Sequence, residues 1–178
     1  MIRLQRISTA DEQYQFMEEL LVSSFPPEEY RLLADLKEYT DHKSKFHNHV
    51  ILEDDQPVGI ITYWDFDRFY YIEHFATSPT LRNGGYGKKT LTHLCNELQL
   101  PIVLEVELPT NELAERRILF YQRQGFTLWE NEYKQPPYRP EDDYLPMRLM
   151  VSGDLDPQTD YEDIKANIYR KVYGVIGE

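Results

Sequence analysis

Residues 79–88 read Pro79-Thr80-Leu81-Arg82-Asn83-Gly84-Gly85-Tyr86-Gly87-Lys88, between a bulky strand-like run, Phe69 to Thr77, and a helix-like one. In the latter, Leu91, Leu94, Cys95 and Leu98 recur at helical spacing, with Cys95 on the apolar stripe as a small core residue rather than a nucleophile. Glycines at such a junction let successive backbone N–H groups turn toward one point. The start of a helix adds the positive end of its dipole, so the junction suits a phosphate. A P-loop is excluded, because its first glycine position holds Arg82 and its Ser/Thr position holds Lys89. A dinucleotide fingerprint starting at Gly85 fails at Thr90. An Asn83-Gly84 hairpin would demand a strand next, and the residues that follow have helical periodicity instead.

What fits is R-x-x-G-x-G, as Arg82, Gly85 and Gly87. Upstream lies Ile72-Glu73-His74-Phe75-Ala76-Thr77-Ser78-Pro79, and downstream Phe120-Tyr121-Gln122-Arg123-Gln124-Gly125-Phe126, a helix ending in Y-x-x-x-G-F. With these landmarks in this order, the chain resembles the GNAT superfamily of acyl-CoA-dependent N-acetyltransferases. The resemblance implies an α/β fold: a single GNAT-like domain over residues 1–152, with a mixed, mostly antiparallel sheet of about six or seven strands flanked by helices. Residues 153–178 form a C-terminal amphipathic extension outside that core. Acetyl-CoA, or a close acyl-CoA, is the implied donor, with no metal. Its implied contacts are the loop residues Arg82, Asn83, Gly84, Gly85, Tyr86, Gly87 and Lys88, the strand end Phe75, Ala76 and Thr77, and Arg116. Many relatives place an asparagine seven residues before the tyrosine; that position is Ala114 here, and Asn111 lies three residues too early. Arg116 and Arg117 are the residues that could compensate.

Working outward, Asp11 is placed to cap a helix carrying Phe16, Met17, Leu20 and Leu21, and Pro26-Pro27 interrupts it. A second helix is expected over Glu28 to Tyr39, with Leu32, Leu33 and Leu36 on one side. Strands are expected over His49 to Glu53 and Val58 to Asp65, joined by the turn Asp54-Asp55-Gln56-Pro57. A strand at Ile102 to Glu107 precedes a helix from about Asn111 to Gln124, and Gly125 stops it. Phe126 to Tyr133 and Leu145 to Val151 read as strands around a proline-rich loop, Gln135 to Pro140. Asp156-Pro157 looks like a helix start, and Tyr161, Ile164, Ile168 and Val172 give the tail an apolar face that packs on the domain or, in a homodimer, on a second subunit.

Acyl transfer from a thioester to an amine requires a base, an oxyanion donor and a proton for the departing thiolate. By the resemblance, Tyr121 is the general acid and a backbone N–H near Ala76 or Thr77 meets the oxyanion. Strand alternation puts Tyr71, Glu73 and Phe75 on one face with Ile72 and His74 on the other, and pairs Glu105 with Glu107. Carboxylates on central strands are expensive to bury and often mark a cleft. Glu73 ranks first as base, Glu105 second and Glu107 third; the alternative for each is an ion pair with Arg116 or Arg117. Tyr30, Glu107, Tyr138 and Arg139 are the acceptor-side candidates, and Arg139 suits an acceptor bearing a carboxylate.

The remaining composition narrows the class. The chain has 178 residues, a formal charge of −12, one cysteine, 14 tyrosines and 8 phenylalanines. One cysteine excludes an intrachain disulfide, and the acidic balance argues against nucleic acid, whose affinity draws on clustered Lys and Arg. No apolar run reaches membrane-spanning length, and the first residues alternate like a strand, so a cytoplasmic protein without a membrane partner is expected. The expected function is transfer of an acetyl group to a primary amine of a small molecule or peptide. The alternatives are a non-catalytic acyl-CoA-binding sensor or assembly module, or a nucleotide-binding protein.

Overall fold

The computed structural model describes residues 1–176. It contains two compact units, one built from Met1–Asp65 with Ile72–Gln99, the other from Phe66–Tyr71 with the chain from Leu100 onward. Strands and helices alternate in both, the α/β class expected. Among the described residues no helix is long and apolar enough to cross a membrane.

In the first unit β1 (Ile2–Arg6) is followed by α1 (Gln13–Ser24), α2 (Leu33–His42), β2 (Phe46–Glu53), β3 (Gln56–Asp65), most of β4 (Tyr70–Thr77) and α3 (Tyr86–Leu98). The strand order is β1-β2-β3-β4, with β1/β2 and β2/β3 antiparallel. Glu53 pairs with Gln56, so the hairpin loop is Asp54-Asp55 alone, with φ of 49° and 68°. Positive φ at both positions matches a primed two-residue turn, whose twist suits the flanking strands. Gln56 and Pro57, expected in the turn, belong to β3; Pro57 faces Leu52 at a bulge, where a missing N–H is tolerated. Phe46, Asn48, Val50 and Leu52 of β2 share a buried face, and Asn48 Nδ2 reaches Thr40 Oγ1 (3.0 Å) and Met17 Sδ (3.6 Å), which sets α1 and α2 over it.

The helix expected from Glu28 forms differently. Pro27–Glu29 is one 3-10 turn, Tyr30 is extended at φ −142°, and α2 begins only at Leu33. The cause is Arg31, whose side chain turns inward to an ion pair and leaves Leu32 52 % exposed instead of on the apolar side.

In the second unit β5 (Ile102–Glu107) is followed by α4 (Glu112–Arg123), β6 (Thr127–Leu128), β7 (Tyr133–Gln135), β8 (Leu145–Ser152) and α5 (Tyr161–Asn167), which runs into a π-helical turn at Ile168–Val172. β8 pairs antiparallel with β5, β6 and β7. The strand expected over Phe126 to Tyr133 is broken. Between the pairs Leu128↔Met150 and Tyr133↔Met147 the chain takes five steps against three on β8, so residues 129–132 leave the ladder. Trp129 is nevertheless buried, and its N–H still donates to Leu149 O at 2.9 Å.

The tail starts its helix later than Asp156-Pro157 suggested. Asp156 accepts from Gln158 N (2.7 Å) and Asp160 accepts from Asp156 N (2.8 Å), closing a turn that delays the helix to Tyr161. Tyr161, Ile164, Ile168 and Val172 are then buried. The last two positions of the tail, Gly177 and Glu178, lie outside the described residues.

Candidate active site

In the first unit the glycine segment forms a 3-10 turn at Pro79–Leu81, an extended Arg82, and a left-handed pair, Asn83 and Gly85, both at φ 74°. Gly85 is the N-cap of α3, and its left-handed conformation is one that side chains resist. At Gly84 the constraint is space: a Cβ would lie 2.5 Å from the Tyr86 ring and 3.2 Å from Leu81 O. The first turn of α3 holds no acidic residue and Gly85 offers no side-chain cap, so the first amides of the helix have no acceptor from within it. Arg82 to Gly85 and Lys88 are exposed, while Tyr86 and Gly87 are half-buried. Lys89 leans toward Glu53 (3.6 Å) and the Tyr86 ring (5.2 Å).

Phe75, Ala76 and Thr77 are half-buried at the end of β4. A Cβ at Gly59 would meet Ala76 O at 2.6 Å, so this glycine permits close approach of β3 to the strand end. Glu73, lower on β4, is fully occupied: Arg31 Nη2 lies 2.7 Å from Oε2, and Oε1 accepts from Trp64 Nε1 (2.7 Å) and Arg31 Nη1 (3.2 Å). The Glu73 side chain is 0 % exposed, and the Arg31 guanidinium lies 4.5 Å from the Tyr39 ring centroid. The partner of Glu73 is thus Arg31, not Arg116 or Arg117. His74 joins the same connection: its Nε2–H donates to Glu29 O at 2.8 Å, and Phe25 meets its ring edge-on at 4.9 Å. Burial holds the His74 ring below its ordinary pKa. Strict alternation would have separated Glu73 from His74, yet both grip the segment between α1 and α2. Tyr30, in that segment, is buried rather than on the surface.

In the second unit Asn111 is the N-cap of α4, its side chain accepting from Ala114 N at 2.8 Å, which explains its position at the helix start. Tyr121 on the inner side of α4 is buried, with Phe120 (5.2 Å) and Phe126 (5.6 Å) edge-on to its ring. Burial pushes its phenol up to about 12, against a small opposing pull from Arg117, so it is a proton donor throughout the neutral range. Arg116 is exposed and pairs with Glu112 at 2.7 Å, while Arg117 lies 3.6 Å from Glu107.

Glu105 has a different environment. Oε1 accepts from the Tyr71 hydroxyl, from Tyr173 (2.5 Å) and from Gln135 Nε2 (3.2 Å), and Oε2 accepts from Tyr133 (2.5 Å). Every donor is neutral, and among the described residues no cationic side chain pairs with it. Desolvation raises its pKa, and the four hydrogen bonds pull partly the other way. Tyr138 lies beside this group, its ring 5.1 Å from that of Tyr173, and half-buried Arg139 follows it. Sequence reasoning singled out Glu105 and Tyr138 but missed Arg31, Trp64, Tyr133, Gln135 and Tyr173. The one signal available for Tyr173 was the spacing of Tyr161, Tyr169 and Tyr173, which puts three hydroxyls along one side of the tail helix.

Comparison with known proteins identifies the family. A model described as "Acetyltransferase (GNAT) family" matches residues 11–126. A solved chain of Bacteroides thetaiotaomicron, assigned to the GNAT family as an acetyltransferase, is 64 % identical with a TM-score of 0.96, covering 98 % of this chain and 99 % of that one. A Bacillus subtilis (strain 168) protein named as an acetyltransferase, YjbC, is 31 % identical over 111 residues, 61 % of this chain; the match spans 55 % of that relative's length. A Bacillus subtilis acetyltransferase solved with CoA shares the fold at a TM-score of 0.56 and 14 % identity, with coverage of 86 % and 98 %. The chain belongs to the acetyltransferase (GNAT) family.

Proposed function

We propose that the protein transfers an acetyl group from acetyl-CoA to a primary amine of a small molecule or peptide, by direct attack of the amine on the thioester. The observation that carries this reading is the start of α3. It offers a left-handed glycine cap, first-turn amides without an acceptor from within the helix, no acid in the first turn, and flanking Arg82 and Lys88. Such a terminus suits the phosphates of CoA. The Bacillus subtilis neighbour solved with CoA supports the same donor.

Acetyl-CoA supplies the activated acetyl group. Arg82, Asn83, Gly84, Gly85, Tyr86, Gly87 and Lys88 hold its phosphates, and Phe75, Ala76 and Thr77 carry the contacts of the strand end. An N–H at Ala76 or Thr77 meets the oxyanion. For the base we favour Glu105 over Glu73, because Glu73 already has a guanidinium while Glu105 is a carboxylate among neutral donors with a raised pKa. Glu105 takes one proton from the acceptor ammonium, the free amine attacks the thioester, and as the C–S bond breaks the Tyr121 phenol gives a proton to the thiolate; the nitrogen's second proton leaves as the neutral amide forms and restores the phenol, and the proton on Glu105 passes to solvent. Tyr138, Arg139 and Glu107 shape acceptor choice, with Arg139 suited to an acceptor carboxylate. Arg116, engaged with Glu112, has the weakest claim to a phosphate.

Calorimetric titration with acetyl-CoA tests the donor: micromolar binding is expected, and it is lost in Gly85→Glu, which puts a carboxylate where phosphate should sit. No binding by well-folded wild type overturns the reading. Thiol release across a panel of amines then separates an enzyme from a binding module, which would bind acetyl-CoA and release thiol with none of them.

A further inference from the structure

Most of the donors to Glu105 lie beyond the stretch that the family model matches, and one of them lies in the tail outside the GNAT-like domain. The family match ends at residue 126, whereas Tyr133, Gln135 and Tyr173 all follow it; only Tyr71 precedes. The tail is fastened along this group by its tyrosines. Tyr161 donates to Glu132 O, Tyr169 donates to Lys134 O (2.5 Å), and Tyr173, one helical turn further, reaches the Glu105 carboxylate itself. Tyr173 oxygen also accepts from Gln135 Nε2 at 3.0 Å and lies 3.3 Å from the Tyr71 hydroxyl. It therefore joins two of the carboxylate's other contacts, Gln135 and Tyr71.

An ionised carboxylate can accept about four hydrogen bonds. Among the described residues Glu105 has four donors and no compensating cation, which is a costly way to bury a charge unless the charge has a use. The groups facing it are Tyr71 from β4, Tyr133 and Gln135 from β7, and Tyr169 and Tyr173 from the tail, with Leu149 opposite it on β8. None carries a positive charge, so a proton or the ammonium of an acceptor is what the group lacks.

We propose that the C-terminal segment is a working part of acyl transfer, with Tyr173 a positioning residue that orients the Glu105 carboxylate to receive the acceptor's proton. This rests on the reading of Glu105 as the base. Loss of the Tyr173 hydroxyl removes a donor that favours the ionised form, so the Glu105 pKa rises further in Tyr173→Phe. The ring against Tyr138 is kept. Tyr161→Phe, from the same tail but without a contact to Glu105, is the control.

The experiment follows the Glu105 side-chain carboxyl by 13C NMR titration in wild type, Tyr173→Phe and Tyr161→Phe, alongside the pH profile of thiol release from acetyl-CoA with amines and, without amine, with water. The expected result is an upward shift of about one pH unit in Tyr173→Phe only, with the acidic limb of the rate profile moving equally and acetyl-CoA affinity unchanged. An unmoved Glu105 titration in Tyr173→Phe, or a moved titration with an unmoved acidic limb, overturns the role of the tail. Wild-type turnover in Glu105→Gln instead overturns the base assignment beneath it, so the two failures are distinguishable.

Discussion

Glu73 and Glu105 are the same side chain on neighbouring stretches of sequence, and their partners give them opposite characters. Glu73 faces Arg31 at 2.7 Å with its side chain wholly buried, so removing either partner strands a charge. Arg31→Met should cost about 3 kcal/mol in denaturant unfolding, and Glu73→Gln a similar amount, whereas the double variant should recover part of the loss. Equal, additive losses would show that the pair is not coupled. Tyr121 belongs to the same scale. With its phenol held up to about 12, Tyr121→Phe should lower kcat on the order of 100-fold while the acetyl-CoA Kd stays unchanged, measured by thiol release and calorimetry. Undiminished kcat would return Tyr121 to a packing role between Phe120 and Phe126. Nothing in the sequence distinguished these fates, because each depends on a partner distant along the chain.

Elements were more legible than residues. β5 coincides with its expected span, α4 lies within one residue of its own at each end, and α3 forms where the apolar spacing from Leu91 to Leu98 is helical, since each has its own periodicity. Asn111 illustrates this: read against the family it lies three residues too early, but as the cap of α4 it is where helix physics puts it. Asn111→Ala should cost about 1 kcal/mol of stability by thermal or chemical unfolding, without altering acetyl-CoA affinity. Gly85→Ala should cost a similar amount for a different reason: a Cβ there has no atom within 4 Å, but φ 74° strains any side chain. The misread elements share a cause. α2 starts late because Arg31 is drawn into the interior, β6 and β7 are split by a register step against β8, and α5 starts late because Asp156 and Asp160 close a turn first. In each case a tertiary contact or a local side-chain bond overrode a plausible local pattern.

At the scale of the whole molecule, buried ionisable groups set the response to pH. His47, His49 and Tyr63 stack with rings within 6° of parallel, and burial lowers His47 to about 4 and His49 to about 3. Below the ordinary histidine pKa of 6.5 the unfolded chain takes up protons that the folded chain refuses. This part of the stability is therefore complete above pH 6.5 and is lost as pH falls toward 4 and 3. Glu105 has the opposite sign. Its folded pKa is raised above 4.5, so its burial costs most at neutral pH and the cost is relieved on acidification. Denaturation followed from pH 8 to 4 should show stability falling below pH 6.5, and His49→Leu should flatten that limb. An unchanged limb in His49→Leu would place the acid sensitivity elsewhere.

The sequence by itself determined the family, the loop at the start of α3 and most of the helices and strands, because each is written in contiguous residues: a glycine pattern, an apolar period, a cap. Only the tertiary structure decided which glutamate is neutralised and which is left among phenols, and that the tail supplies one of those phenols. A carboxylate's proton affinity depends on every group within a few ångströms, and here those groups come from Arg31, Tyr71, Tyr133, Gln135 and Tyr173, up to 68 residues away in the chain.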